Sequence, residues 1–158
     1  MILTRLPRSV LAIGKEALRH LLKRPVIGVA AAARTEDGRW LLIRRADTGT
    51  WALPGGTLEW GETLRDSIHR ELLEEAGVEQ SHYERMVGVF SRPDRDLRFH
   101  AVTVVVQMRI EPPSRAPANP LEILEVRLFR EDELPSELAM GMTDMLETAR
   151  RRGEPVFE

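Results

Sequence analysis

Three glutamates in one stretch, Glu71, Glu74 and Glu75, are the side chains of this 158-residue chain best suited to chemistry. In a helix at about 100° per residue they share an arc of roughly 100°. Like charges spaced i,i+4 repel by a few tenths of a kcal/mol on an exposed helix. Two readings account for such a face. It is either a solvated acidic surface, or a seat for a hard divalent cation held by oxygen, which suits Mg²⁺ or Mn²⁺. Arg70 lies four residues before Glu74 and offers the face an opposite charge. Upstream, Gly55-Gly56 can bring bare backbone close to a ligand or metal.

Composition narrows the chemistry further. There is no cysteine, which excludes a disulfide framework, a zinc–thiolate site and a cysteine nucleophile. The histidines, His20, His69, His82 and His100, have no ligand-like spacing, so any metal would be held mainly by oxygen. A net charge of −2 and a pI near 6.1 give no sign of nucleic-acid binding. With 42% hydrophobic and 30% charged residues, the chain has the composition of a folded globular protein. No apolar run approaches the ~18 residues of a membrane-spanning helix.

Other residues offer binding chemistry beside a plainer role. Arg44-Arg45 could meet phosphate through planar guanidinium forks, or be a solvated strand end. Trp51 and Trp60 flank the glycines, and Trp51 could stack on a base or pack beneath the loop. His69, beside Arg70, reads as a surface residue. Arg92-Pro93-Asp94-Arg95-Asp96-Leu97-Arg98 concentrates three arginines in one loop.

The elements that must position these groups follow from periodicity. Val26–Ala33 and Trp40–Ile43 read as the strands of a hairpin, with turn chemistry at Glu36-Asp37-Gly38-Arg39. A helix is expected over Thr63–Ala76, from Leu64, Ile68 and Leu72, with Gly77 as its stop. Met86–Phe90, Ala101–Met108 and Val126–Phe129 read as strands. Glu111–Pro120 is a proline-rich loop, and Leu138–Arg152 reads as a closing helix. This order points to a mixed sheet with helices on its faces.

The stretch from Gly56 to Val78 is more specific than its helix alone. It runs Gly56, five residues, Glu62, seven residues, then Arg70-Glu71-Leu72-Leu73-Glu74-Glu75-Ala76-Gly77-Val78. This resembles the signature of the Nudix hydrolases at all nine of its constrained positions. Leu53-Pro54-Gly55-Gly56 and the flanking strand order are similar to that family too. The resemblance spans about residues 26–150.

The resemblance implies an α/β fold, an α/β/α sandwich around a mixed sheet, and hydrolysis of a nucleoside diphosphate linked to another group. It implies Glu71, Glu74, Glu75 and the Gly55 carbonyl as metal ligands, Arg70 as the residue orienting the glutamates, and Glu62 as a brace at the loop–helix junction. One carboxylate must take a proton from water. Glu71 or Glu75 could serve, and some members use a late-loop glutamate, which makes Glu122 and Glu125 rivals. The Arg92–Arg98 loop resembles that of members acting on ADP-ribose or related nucleotide sugars. On this reading Arg44, Arg45, Trp51, Arg92 and Arg95 contact substrate. Triphosphate house-cleaning hydrolysis stands second and RNA 5′-end hydrolysis third. Nucleotide binding without cleavage is also possible in this fold, but such members usually lose motif glutamates, and here all are present.

Residues 1–25 lie outside the resemblance, and 26–158 form the expected hydrolase domain. Residues 1–24 carry six basic residues against Glu16 alone. Val10, Leu11, Leu18, Leu21 and Leu22 give them an amphipathic helical pattern, weakened by Gly14 and ended by Pro25. A partner subunit suits this face better than a membrane, so a homodimer through this helix is expected. A cytoplasmic location is expected, since Ser9–Gly14 is too short for a signal-peptide core.

Overall fold

Alternation along the first strand already separates two faces. Val29, Ala31 and Ala33 pack into one buried cluster, while Ala30 and Ala32 pack into another. Successive side chains on a strand point to opposite faces, so this strand is covered on both sides. The computed structural model describes residues 24–158. The expected N-terminal helix, and the dimer contact built on it, lie outside the described residues.

In chain order the strands are β1 (Val26–Thr35), β2 (Trp40–Arg45), β3 (Trp51–Ala52), β4 (Gly55–Thr57), β5 (Ser81–Phe90), β6 (Ala101–Ile110), β7 (Ile123–Phe129) and β8 (Val156–Phe157). The helices are α1 (Leu64–Ala76) and α2 (Met142–Arg151). One mixed sheet runs β3-β2-β1-β6-β5-β8, with β4 also paired to β1 and β7 to β2. β1 and β6 are parallel over their whole length, from Val26↔Ala101 to Thr35↔Ile110. Ile68, Leu72 and Ala76 of α1 join the first cluster; Met145, Leu146 and Ala149 of α2 join the second. Helices therefore cover opposite faces of the sheet, the α/β sandwich expected. Among the described residues no helix is long and apolar enough to cross a membrane.

Local chemistry sets the ends of α1. The Thr63 hydroxyl accepts from the Asp66 amide at 3.2 Å and donates to its carboxylate at 2.6 Å. At the other end Gly77 is left-handed, at φ 66°, and its N–H and that of Val78 return to the Leu73 and Leu72 carbonyls. A side chain at Gly77 would also collide with the Arg115 carbonyl.

Several expectations need correction. The closing helix begins only at Met142, because Met140 (φ 55°) and Gly141 (φ 64°) are left-handed and break a helix from Leu138. β5 starts at Ser81, not Met86: its first half is mostly exposed and lacks an apolar run, yet pairs with β6. The Gly/Pro stretch contains two short strands, β3 and β4, formed by pairing to β2 and β1. β8 has no sequence signal of its own.

Candidate active site

β4 lies against β1 in register Ala30↔Gly55 and Val29↔Gly56. A side chain at Gly55 would strike the β1 backbone, and one at Gly56 would strike the Glu71 carboxylate. Glycine at both positions lets this strand slide between β1 and α1. The result is a cleft of about 340 Å³, lined by Gly55, Gly56, Glu71, Glu75 and Arg45, with Glu122 from the loop before β7. The same cleft is lined by Arg95, Asp96, Arg98 and Phe99, and by Met140, Met142 and Met145. Charged oxygens, guanidinium groups and an apolar surface thus share one opening.

The acidic groups are held in distinct ways. Glu75 accepts from the Gly55 N–H at 2.8 Å and lies 3.8 Å from the Arg45 guanidinium. Burial pushes its carboxyl up to about 7, against the pull of the Gly55 hydrogen bond and with repulsion from Glu71 adding to the rise. Glu71 is also raised by burial, with Arg70 opposing. Arg70 donates to both oxygens of Glu62, at 2.8 and 3.1 Å, and to Glu71 at 2.9 Å. Its contact with Glu74 is longer, 3.3 Å, and that side chain is 51% exposed. Glu62 is held down at about 2, chiefly by the Arg70 hydrogen bonds. It also accepts from the Glu59 amide at 3.2 Å within the loop, so that the Arg70–Glu62 bonds tie the loop to the helix. The strongest tie of Arg70 is therefore to Glu62, across the junction, rather than to Glu74.

The remaining sequence candidates divide. Arg45 lines the cleft and is also paired with Asp47 at 2.9 Å. Arg44 does not line it; it donates to the Gly49 carbonyl at 3.0 Å. Glu125, outside the cleft lining, lies 3.9 Å from Arg44, whereas Glu122 is in the lining. Trp51 packs edge-on to Phe129 with centroids 4.8 Å apart and does not line the cleft. Trp60 is fully exposed. Arg92 is a surface side chain 3.4 Å from Glu158. Arg95 reaches the cleft, but its guanidinium is taken up by Asp144 and Glu158.

Phe99 and Met145 carry no site signal of their own in the sequence, and Met140 and Met142 stand out there only as a departure, in Ala139-Met140-Gly141-Met142, from the histidine-bearing stretch that the nucleotide-sugar resemblance implies. Phe99 follows directly on the arginine-rich loop, a signal that could have been used. The methionines read as helix interior, and no periodicity distinguishes a cleft wall from a core.

A model of the NUDIX domain matches residues 24–149. The chain belongs to the Nudix family. A "MutT-like protein" of Streptomyces ambofaciens is 34% identical over 113 residues, covering 72% of this chain and 69% of the relative. An "ADP-ribose pyrophosphatase" of Methanocaldococcus jannaschii is 41% identical over 73 residues, with coverage of 44% and 43%. Among solved structures, a MutT Nudix hydrolase of Burkholderia pseudomallei superposes with TM-score 0.66 at 30% identity, over 80% of this chain and 98% of that one. An ADP-ribose pyrophosphatase of Streptococcus suis gives TM-score 0.68 at 26% identity, over 85% and 100%. This Nudix chain is a pyrophosphohydrolase of that family.

The Nudix site has the donor chemistry for a hard divalent ion. Glu71 and Glu75 are buried carboxylates that repel each other, and Glu122 adds to the repulsion on Glu75; a cation relieves that repulsion. As the side chains stand, no three carboxylate or imidazole groups among the described residues converge closely enough to chelate one ion. Arg70 engages Glu71 and Glu74, and the Gly55 N–H engages Glu75.

Proposed function

We propose that this Nudix hydrolase cleaves a nucleoside diphosphate linked to a second group, with ADP-ribose or another nucleotide sugar as the preferred class. The carrying observation is the shared cleft, where Glu71, Glu75 and Glu122 meet Arg98, Phe99 and the methionines. Carboxylates that can hold cations suit the phosphates. An exposed ring and polarisable thioethers suit a flat base or a sugar face.

In the proposed reaction, water attacks one phosphorus, the bridging P–O bond breaks, and the products are a nucleoside monophosphate and a sugar phosphate. Glu71, Glu74, Glu75 and the Gly55 carbonyl would hold Mg²⁺ or Mn²⁺. The ion, when bound, neutralises phosphate charge and acidifies a coordinated water. Arg70, braced by Glu62, keeps Glu71 in place. Glu122 takes the proton of the attacking water; its place in the cleft supports it over Glu125, which faces Arg44.

The relatives named ADP-ribose pyrophosphatase support this substrate class. The chain spans less than half the length of the archaeal one, 43%. A second reading, triphosphate pyrophosphohydrolysis, draws on a "Putative 8-oxo-dGTP diphosphatase" of Bacillus subtilis that is 32% identical over 80 residues. Incubation with Mg²⁺ and a panel of nucleotide sugars and triphosphates, with products separated by ion exchange, decides between them. AMP and ribose 5-phosphate from ADP-ribose are expected. Pyrophosphate from triphosphates, with every sugar nucleotide intact, would overturn the first reading.

A further inference from the structure

The last residue of the sequence makes contacts out of proportion to the strand that carries it. β8 is two residues long and both side chains are exposed, Phe157 at 90%. It pairs with β5 only at Gly88 and Val89. Little apolar surface is buried there, so the segment adds little to the hydrophobic core. The Glu158 carboxylate, by contrast, accepts from the backbone N–H of Ser91 at 2.7 Å and of Arg92 at 2.9 Å. It also accepts from Arg95 Nε at 3.1 Å and Nη2 at 2.6 Å. The Ser91 hydroxyl donates to the Glu158 backbone carbonyl at 2.9 Å.

From α2, Asp144 takes the same guanidinium at 2.8 Å through each of two nitrogens. Arg95 Nη1 also donates at 2.9 Å to the carbonyl of Gly141, the second of the left-handed pair just before α2. The guanidinium stands 5.1 Å over the Phe90 ring, and its side chain is only 7% exposed. A buried guanidinium needs such partners to remain in place. With its donors committed, Arg95 works as a bolt between the loop, α2 and β8.

The residues just after the bolt face the cleft. Arg98 donates to Asp96 at 2.8 and 3.0 Å and to Asp47 at 2.8 Å, and its guanidinium lies 5.2 Å over the Phe99 ring. We infer that Glu158 is a positioning residue for the substrate-facing wall: it fixes the start of the 91–99 loop, so that Arg98 and Phe99 present one surface to the cleft. Binding energy is lost when such a surface must be ordered by the ligand itself. Glu158 acts through the loop and touches no reacting atom.

Three full-length variants test this. Glu158→Ala removes every side-chain contact, Glu158→Gln keeps an acceptor oxygen without the charge, and Phe157→Ala alters β8 but leaves the carboxylate. Hydrogen exchange of the substrate-free protein comes first and is independent of what the enzyme cleaves. Glu158→Ala should speed exchange across 91–99 by at least tenfold, Glu158→Gln by less, and Phe157→Ala not at all. Kinetics with Mg²⁺ then use ADP-ribose, or a nucleoside triphosphate if that is what the wild type turns over. This arm alone rests on the proposed hydrolysis. KM should rise about tenfold or more in Glu158→Ala with kcat within twofold, and Glu158→Gln should recover part of it.

Unchanged exchange in Glu158→Ala would overturn the assignment. So would a fall in kcat at constant KM, or an equal effect from Phe157→Ala. If the wild type cleaved none of the nucleotides, the hydrolase reading would fail while the exchange arm still decided the role of Glu158.

Discussion

Replacing Glu75 by Gln separates the site's chemistry from its architecture. The carboxylate is 11% exposed and takes the Gly55 N–H at 2.8 Å. Glutamine is nearly isosteric, and its amide oxygen can keep that bond. The loss is the charge assistance, about 1 kcal/mol for such a hydrogen bond. The gain is relief from burying a charge among Glu71 and Glu122. These oppose each other, so in EDTA the variant should melt within about 4 °C of the wild type, taking roughly 2–4 °C per kcal/mol at this size. Activity should respond very differently. Metal charge stabilisation is worth several kcal/mol, and each 1.36 kcal/mol is about tenfold in rate. Weakening that term by about 3–4 kcal/mol lowers kcat roughly 10²–10³-fold. Mg²⁺ should also raise the wild-type melting point, by about 2.7 kcal/mol of stability at a hundredfold excess over Kd, and should raise that of the variant much less. The assays are kcat at saturating Mg²⁺ and paired melts with EDTA and with Mg²⁺. Near-wild-type turnover, or an equal Mg²⁺ shift in both proteins, would refute the reasoning.

Further outcomes follow from other positions. Gly56→Ala places a methyl on the Glu71 carboxylate and should cut kcat at least tenfold while the far-ultraviolet circular dichroism stays unchanged. Leu72→Ala empties a fully buried position under α1 and should cost about 2–5 kcal/mol in urea unfolding. The Glu158 carboxyl is held down at about 2, first by its Arg95 hydrogen bonds. Its contribution to stability is therefore complete above the unfolded value near 4.5 and is lost as pH falls through about 2. The urea-midpoint gap between wild type and Glu158→Gln should thus be widest above pH 5 and narrow on acidification. Glu122→Gln should lower kcat by about 10²-fold or more, with Glu125→Gln near wild type; equal losses in both would remove the distinction between them.

Local chemistry by itself determined a large part of this protein. The spacing from Gly56 to Val78 carries helix, stop and carboxylates within one segment, so it could be read without knowing any neighbour. Thr63 and Gly77 end α1 by bonds to residues at most five positions away. The hairpin of β1 and β2 is equally local. Tertiary structure decided what depends on distant partners. β8 and β4 exist only because β5 and β1 offer them hydrogen bonds. Arg95 and Arg98 lie three positions apart in one arginine-rich loop and both line the cleft, yet Asp144 and Glu158 take up the buried guanidinium of the first while that of the second is 46% exposed. Glu122 and Glu125 differ by three residues, and only packing against β2 turns one toward the carboxylates and the other toward Arg44. The division is physical: caps, periodicity and turn chemistry act over a few residues, whereas burial and charge pairing also draw on groups far away in the chain, as with Arg95 and Asp144, separated by 49, and Arg92 and Glu158, separated by 66.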